Sequence, residues 1–297
     1  MPIKYQMLGG GGGTDLLLKV VPNVSVTLSK GTYTKTLTAN EQGQALFKNL
    51  SNGTYTATAQ GTDGTQYQKE ILIHGAQEEG FATQKVASLP VGSKIKFSSG
   101  REFILMKHKA KAHNQNSATL VSEFIQEDFS WTFEINGNPL YNKNTNLQNL
   151  LNKYFGELSR YERENVADFT ADGIRTESWG NPTISQHFYI FSLAEFGIDD
   201  SIFPENASER NLGFPDMDSR IKRYKNGEVG KYWLRNNYQS EPSITYWYIG
   251  PKGGPNSAKN SNSRPTTFTA GIVLGVDISE NATVYLDTDG YYRVTDK

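Results

Sequence analysis

Six aromatic side chains lie within residues 228–250, and this stretch constrains the fold more than any other part of the chain. They form two short runs, one around Trp233 and one around Trp247, with a polar connection between them. A buried aromatic side chain removes roughly 150–250 Å² from water, and Tyr and Trp also need a polar partner. The pattern therefore predicts two strands joined by a surface loop, which either fill a core or line a ligand surface.

The composition of the 297-residue chain narrows the classes of protein to which it can belong. Its length favours two domains, and its 30 basic and 31 acidic side chains argue against a nucleic-acid partner. The absence of cysteine excludes thiol catalysis, disulfides and cysteine-based zinc sites. No run of about 20 apolar residues is present, so we expect no membrane insertion.

The first thirteen residues read as an arm rather than as part of a core. Residues 1–8 lack the apolar segment and cleavage site of a secretory signal. If the protein acts outside a cell, we therefore expect it to leave by a route other than general secretion, such as lysis of the host. Gly9–Gly13 carry no side chains to pack. Residues 1–13 are therefore predicted to be either a flexible tether or an arm that orders on docking to a larger assembly.

Residues 14–84 have the pattern of a small antiparallel β domain. Val24, Val26 and Leu28 alternate with polar residues, which is the period of a half-buried strand. Further strands are predicted at 33–38, 43–50, from Tyr55 and at 67–73, with turns at Ser29–Gly31 and Asn52–Gly53. Strands at such short intervals predict a β-sandwich.

A family resemblance lies within this predicted sandwich. It rests on the spacing of Gly43, Ala45, Phe47, Leu50, Gly53 and Tyr55. This pattern resembles the carboxypeptidase regulatory-like, or prealbumin-like, sandwich family, which belongs to the Ig-like class of architectures. Such domains are usually spacers or adhesive modules, so the resemblance implies no catalysis.

Residues 85–90 are predicted to be a linker, and residues 91–297 a second domain of α+β class. Apolar residues spaced three and four apart predict a helix that begins at Asn144 or Thr145 and ends at Gly156. A shorter helix is predicted within 158–169, and Ser192 with Glu195 carries the signature of another helix start. The predicted strands of this domain are 93–97, 102–108, 118–122, 187–193, 268–277 and a closing hairpin at 284–294. Long loops are predicted at 199–227 and 250–265.

Four pieces of this domain carry a second resemblance: Tyr141 with the helix Leu147–Phe155, then Phe188–Glu195, Lys231–Asn236 and Phe268–Val276. In this order they resemble one family of unknown function that is common in phages and prophages of Gram-positive bacteria. The third piece is similar to a Tyr-Trp-Trp-Leu-Arg-Ser motif. The resemblance covers residues 91–280 and implies a C-type-lectin-like or sulfatase-modifying-factor-like layout, often found in tail-associated proteins. Leu150 stands where the family has Trp, Thr269–Ile272 replaces its Val-Arg-Pro element, and the family offers no catalytic residues to carry over.

Acidic residues raise the question of a metal site. The four histidines lack the close spacing of a helical zinc pair. Asp199, Asp200, Asp216 and Asp218 are expected to be solvated loop carboxylates, with a calcium site as the alternative. Asp287–Gly290 is expected to be a hairpin turn, because the downstream glutamate of a calcium loop is missing. We therefore predict no cofactor, and leave calcium open.

The candidate ligand-binding residues lie in and beside the aromatic stretch. They are Arg235, Asn236, Asn237, Tyr238, Tyr246 and Tyr248. Tyrosines beside short amides are typical of adaptable recognition surfaces, and strand alternation would place Tyr246 and Tyr248 on one face with Trp247 on the other. Arg235 has two interpretations: a ligand contact, or a buried clamp on a carboxylate such as Asp216 or Asp218.

These observations predict a bacteriophage virion protein that is not an enzyme. We expect a tail-associated protein, assembled in the host cytoplasm, that attaches to a host-surface glycan or protein. Its N-terminal arm and sandwich would contact other virion proteins, and the sequence leaves homo-oligomer formation open. The first alternative is a head or tail decoration protein without a receptor role. The second alternative is a hydrolase of cell-surface polysaccharide, although no sequence pattern identifies the pair of carboxylates that such an enzyme needs.

Overall fold

The fold is a β-rich member of the α+β class, as predicted, with 47% strand and 11% helix. The computed structural model describes residues 13–61, 63–110, 115–130, 145–171, 184–198, 211–240, 243–261 and 269–296. The chain divides into two compact units. The first unit runs to Gly100 and resumes at Glu280, and the second unit is Arg101–Ser279.

Twenty-three strands and two α-helices make up the described elements. The strands up to residue 100 are β1 (Thr14–Lys19), β2 (Ser25–Lys30), β3 (Tyr33–Thr38), β4 (Gln44–Leu50), β5 (Gly53–Gln60), β6 (Gln66–Ile73), β7 (Gln77–Gly80), β8 (Gln84–Lys85) and β9 (Lys94–Lys96). The following elements are β10 (Glu102–His108), β11 (Ser117–Ser122), β12 (Asp128–Ser130), α1 (Thr145–Gly156), α2 (Arg160–Asn165), β13 (Val166–Ala167), β14 (Phe169–Ala171), β15 (Ile184–Gln186) and β16 (Phe188–Ile190). The last are β17 (Tyr232–Ser240), β18 (Ser243–Ile249), β19 (Pro255–Ser261), β20 (Thr269–Gly271), β21 (Leu274–Ser279), β22 (Thr283–Leu286) and β23 (Tyr292–Val294). Short 3-10 helices lie at Val86–Ser88 and Asp218–Arg220.

A β-sandwich forms most of the first unit. One sheet has the order β4-β1-β7 and the other β3-β2-β5-β6. Both sheets contribute to one hydrophobic core, in which Val26 and Phe47 are fully buried and Tyr55 is 2% exposed. Shared burial of the two inner faces is the defining feature of a sandwich. The strands predicted for residues 24–73 from their alternation are confirmed.

The end of the chain completes the first unit. β22 pairs with β8, and β23 pairs with β9, so the C-terminal hairpin joins strands from residues 84–96. Residues 85–90, which the sequence predicted to be a linker, form part of β8 and a 3-10 turn with Val86 and Leu89 buried. The first compact unit therefore includes residues up to Gly100 and from Glu280 onward, whereas the sequence predicted that the first domain ends at residue 84. The cause is pairing between distant segments, which local composition does not encode.

One sheet of the second unit has the order β13-β21-β11-β10, and β16 also pairs with β21. β11 is buried along its whole length, and β21 is buried except at its last residue. A separate five-stranded sheet has the order β12-β20-β17-β18-β19. The strand predicted at 268–277 is therefore two strands, β20 and β21, which belong to different sheets.

The helices follow the sequence in two places and depart from it in one. α1 begins at Thr145 with Leu147, Leu151 and Tyr154 buried, as predicted. α2 begins after Ser159, whose side chain forms a capping box with Glu162. The helix predicted from Ser192 is wrong, because residues 193–197 form only turns that end at a glycine with positive φ. No helix among the described residues is long and apolar enough to cross a membrane.

The polar stretch 250–265 contains a strand where the sequence predicted a loop. A tight turn closes where the Gly253 amide donates to the Gly250 carbonyl, and β19 follows from Pro255. β19 pairs with β18 from Ile249↔Pro255 to Ser243↔Ser261. Proline at the first position of an edge strand removes no ladder hydrogen bond. The polar composition concealed the strand, because an edge strand needs backbone partners more than apolar side chains.

Candidate functional site

The aromatic stretch forms the central hairpin of the five-stranded sheet. We call β17, β18 and β19 the platform. At its base Trp233 is 2% exposed, and its Nε1 donates to the Phe129 carbonyl at 2.8 Å. Tyr232 is fully buried and donates to the Arg220 carbonyl at 2.7 Å, and burial raises the pKa of Tyr232. These satisfied, buried aromatics make the base a core, which is one of the two uses predicted for the stretch.

Arg235 serves the interior of the second unit. It is 4% exposed, and its guanidinium donates to the Ile190 carbonyl at 2.8 Å and to the Glu195 carboxylate. Glu195 is fully buried and also accepts the Ser192 amide at 2.6 Å. A buried charge is tolerated when it is paired and hydrogen-bonded in this way. Of the two interpretations of Arg235, the structure fits the buried clamp.

The carboxylate that Arg235 clamps is not the one that the sequence suggested. Asp216 instead accepts the Ser219 amide at 2.8 Å, and Asp218 lies exposed in a 3-10 helix. The sequence did not suggest Glu195 as the partner of Arg235, because the capping pattern with Ser192 already gave its carboxylate a role. The second role of its carboxylate could not be read from a local pattern.

A β-bulge with three residues opposite one separates the base of the platform from the rest of the hairpin. Trp233 pairs with Tyr248 and Asn237 pairs with Tyr246, so three residues of β17 stand opposite the single residue Trp247 of β18. Within this bulge the Arg235 amide leaves the ladder and donates to the Phe191 carbonyl at 2.9 Å. Bulges commonly re-aim a side chain in this way. Here the bulge turns the arginine inward and lets the strands continue beyond it.

A second buried carboxylate stabilises the neighbouring sheet. Asp277 is fully buried and accepts hydrogen bonds from Thr119 at 2.8 Å and Tyr189 at 3.0 Å. Burial, with the Asp277 charge, raises the pKa of Tyr189 well above its usual value. Tyr189 in turn stacks on Phe169 at 3.9 Å. The sequence offered no sign of this network, since Asp277 stands in an otherwise apolar strand.

The remaining candidate residues lie along the platform. Tyr248 is half-buried and packs edge-on against Trp233, with ring centroids 6.2 Å apart. Asn236, Asn237, Tyr238 and Tyr246 lie in β17 and β18, where Asn237 pairs with Tyr246 and Tyr238 with Thr245. The structure describes the backbone of these four residues, and their side chains lie outside what it describes. All six candidate residues therefore lie in the β17–β18 hairpin, and the Arg235 side chain is the one that the structure shows turned into the interior.

The carboxylates considered for calcium have other partners or lie outside the described residues. Asp199 and Asp200 belong to the part of the chain that is not described. Asp287 begins a tight turn closed by the Gly290 amide at 3.0 Å, which confirms the predicted hairpin turn. Its carboxylate pairs with Lys19 and Arg293, each at 3.0 Å. Within the described ranges no group of three or more His, Cys, Asp or Glu side chains could hold a metal ion.

No protein-family model matches the chain, and no curated protein is significantly similar to it. The two family resemblances therefore remain predictions from the quoted residues.

Proposed function

We propose that this chain is a bacteriophage virion protein, associated with the tail, that attaches the particle to the host cell surface. The virion and tail assignment is supported by the resemblance of four segments to a phage-associated family, and the observation that carries the attachment role is the platform. Its base is locked by Trp233, Tyr232 and Arg235, and its strands continue beyond the bulge into a segment rich in Tyr, Asn and Ser. That composition is typical of surfaces that recognise other molecules.

A rigid base favours binding for a physical reason. Ordering loops and side chains on association costs about 0.5–1.5 kcal/mol for each immobilised side chain. The backbones of β17, β18 and β19 are hydrogen-bonded to one another before a ligand arrives. Binding at the platform therefore requires little further ordering of the backbone. The platform is thus suited to present tyrosine side chains, which bring large contact areas with few rotatable bonds.

Two fully buried carboxylates belong to the scaffold of the second unit. Glu195 is held by Arg235, and Asp277 is held by Thr119 and Tyr189. Both are fully buried and hydrogen-bonded to neighbours within the fold. Such groups stabilise a scaffold, whereas a general acid or base must reach its substrate.

The first unit would serve as the spacer between the particle and the platform. A β-sandwich with one closed core is a stiff module, and residues 1–13 would dock on other virion proteins. Imaging of intact particles with a label on this chain tests the location. A label at the tail tip is the expected result, and even coverage of the capsid lattice would indicate a decoration protein instead.

Binding is tested with the full chain, fluorescently labelled, on host cells and on an array of host-surface glycans. We expect Tyr238→Ala and Tyr246→Ala to weaken binding about tenfold or more, because one aromatic contact at the centre of an interface contributes about 1.4 kcal/mol or more. Tyr161→Ala, on α2, is the matched control and should bind normally.

Two results would contradict the proposal. If neither the full chain nor the particles that carry it bind host cells, the platform has no receptor role. If the purified protein releases sugars from host wall polymers, it is a hydrolase, and the carboxylate responsible must be sought by substitution.

A further inference from the structure

A segment of twenty residues crosses the base of the platform. We call residues 211–230 the strap. It contains the 3-10 helix Asp218–Arg220 and then a tight hairpin, in which the Tyr224 amide donates to Glu228 at 2.9 Å and the Gly230 amide donates to Lys222 at 3.1 Å. Most of the strap from Asp216 onward is at least partly exposed, and Lys222 is one of its few buried members.

The strap touches three parts of the five-stranded sheet. Tyr232 on β17 donates to a strap carbonyl, and the Tyr224 hydroxyl of the strap donates to Asp128 on β12. The turn between β18 and β19 packs against Met217 so closely that a Cβ on Gly253 would lie 1.8 Å from the Met217 carbonyl oxygen. The strap therefore contacts the five-stranded sheet at β12, at β17 and at the turn between β18 and β19.

Lys222 anchors the strap in an unusual environment for an ammonium group. It is 6% exposed, and its Nζ donates to the Ser122 carbonyl at 2.9 Å. Among the described residues this is the one hydrogen bond of a group that carries three donors. A buried charge with so few partners is costly, and burial of the neutral amine costs much less.

Among the described residues, Glu123, directly after β11, is the carboxylate whose field favours the charged form of this amine. The other ionisable groups of the strap hairpin face outward: Arg223 donates to the Gly227 carbonyl, Lys225 pairs with Glu102 on β10, and Glu228 accepts from Asn226. Burial and the Asp128 carboxylate raise the pKa of Tyr224 to about 12, so its hydroxyl keeps its proton through the neutral range.

The direction of the pH effect follows from the burial of Lys222. Burial lowers the pKa of Lys222 from 10.5 to about 8, and Glu123 offsets only part of this. With the strap open, the amine would be in water and would keep its proton up to the higher value. Between the two values the open state therefore binds more protons than the closed state, and rising pH favours closure.

We propose that the strap is a pH-sensitive clamp on the base of the platform, which Lys222 holds more firmly when its amine is neutral. The clamp would loosen at neutral and acidic pH and tighten in mildly alkaline solution. This inference rests on the packing of the strap and on the burial of Lys222, so it is independent of what the platform binds.

Hydrogen exchange on the full chain tests the clamp, with rates corrected for the intrinsic effect of pH. The amides to follow are those of Tyr224 and Gly230 in the strap and of Ile125, which donates to the Arg223 carbonyl at 2.9 Å. The opening equilibrium should fall about tenfold between pH 7 and pH 9. Amides of β5 in the first unit are the reference and should not share this change.

Lys222→Met keeps most of the length of the side chain and removes its charge, together with the hydrogen bond to the Ser122 carbonyl. This variant should lower strap opening at pH 7 and abolish the pH dependence, while Lys225→Met, at an exposed lysine of the same strap, should leave it intact. Wild-type strap amides that show no corrected change with pH would overturn the proposal, as would a pH dependence that persists in Lys222→Met.

A second measurement covers the case in which Lys222→Met does not fold. Carbon NMR of the lysine side chains in the wild-type protein reports the titration of Lys222 directly. A midpoint near pH 8 is expected, and a midpoint near that of a solvated lysine would overturn the proposal.

Discussion

Removing the charge of Arg235 tests whether the buried ion pair supports the second unit. Arg235→Met leaves the Glu195 carboxylate buried without its cation and takes a donor from the Ile190 carbonyl. Breaking a buried pair in this way costs about 3–5 kcal/mol, because the remaining charge is uncompensated. With a urea slope of about 2 kcal/mol per molar, the unfolding midpoint should fall by about 1.5–2.5 M.

Tryptophan fluorescence is a selective assay for this effect. All four tryptophans lie between Arg101 and Ser279, so the signal reports the unfolding of the second unit. The control is Arg223→Met, at an exposed arginine that donates to a backbone carbonyl, which should shift the free energy of unfolding by no more than about 0.5 kcal/mol.

The paired variant Arg235→Met with Glu195→Gln separates charge from packing. Glutamine still accepts the Ser192 amide but leaves no unpaired charge, so the double variant should recover a large part of the lost stability. An Arg235→Met variant that loses less than about 1 kcal/mol, or a double variant as unstable as the sum of its parts, would refute the reasoning.

Three further predictions concern packing, capping and charge. Gly275→Ala should destabilise the second unit by about 1–3 kcal/mol in urea unfolding, because its Cβ would lie 2.2 Å from the ring of Tyr189. Ser159→Ala should cost about 1 kcal/mol in the same assay, through loss of the α2 cap. Burial alone would raise the pKa of Asp287, but hydrogen bonds from Lys19 and a backbone amide outweigh it and lower the pKa. Stability of the first unit should therefore fall with decreasing pH through the acidic range, and Asp287→Asn should flatten that dependence in hydrogen exchange of β1.

The elements with a strong period were predictable from sequence. Ala45, Phe47 and Tyr55 share one parity and one core, and α1 buries Leu147, Leu151 and Tyr154 of the stripe that its spacing indicated. In these segments the local pattern and the final burial depend on the same residues. Consistency of this kind is what allows prediction from local rules.

The failures have a common physical origin in partners that are distant in sequence. Ser192 and Glu195 make the reciprocal hydrogen bonds of a capping box, yet residues 193–197 form only turns and Gly197 has positive φ. The carboxylate of Glu195 then pairs with Arg235, forty positions away. β19 likewise depends on the backbone of β18 rather than on its own side chains.

The two parts of the first unit explain why the chain is best studied whole. A fragment that begins at residue 85 would keep β22 and β23 but lose the sandwich, including Lys19, whose ammonium pairs with Asp287. Tyr285 would also lose Gly80, where a Cβ would lie 2.3 Å from its ring and only glycine fits. The C-terminal hairpin therefore requires residues near the beginning of the chain. A binding assay on such a fragment would confound loss of recognition with loss of folding, whereas substitutions on the platform of the full chain separate the two.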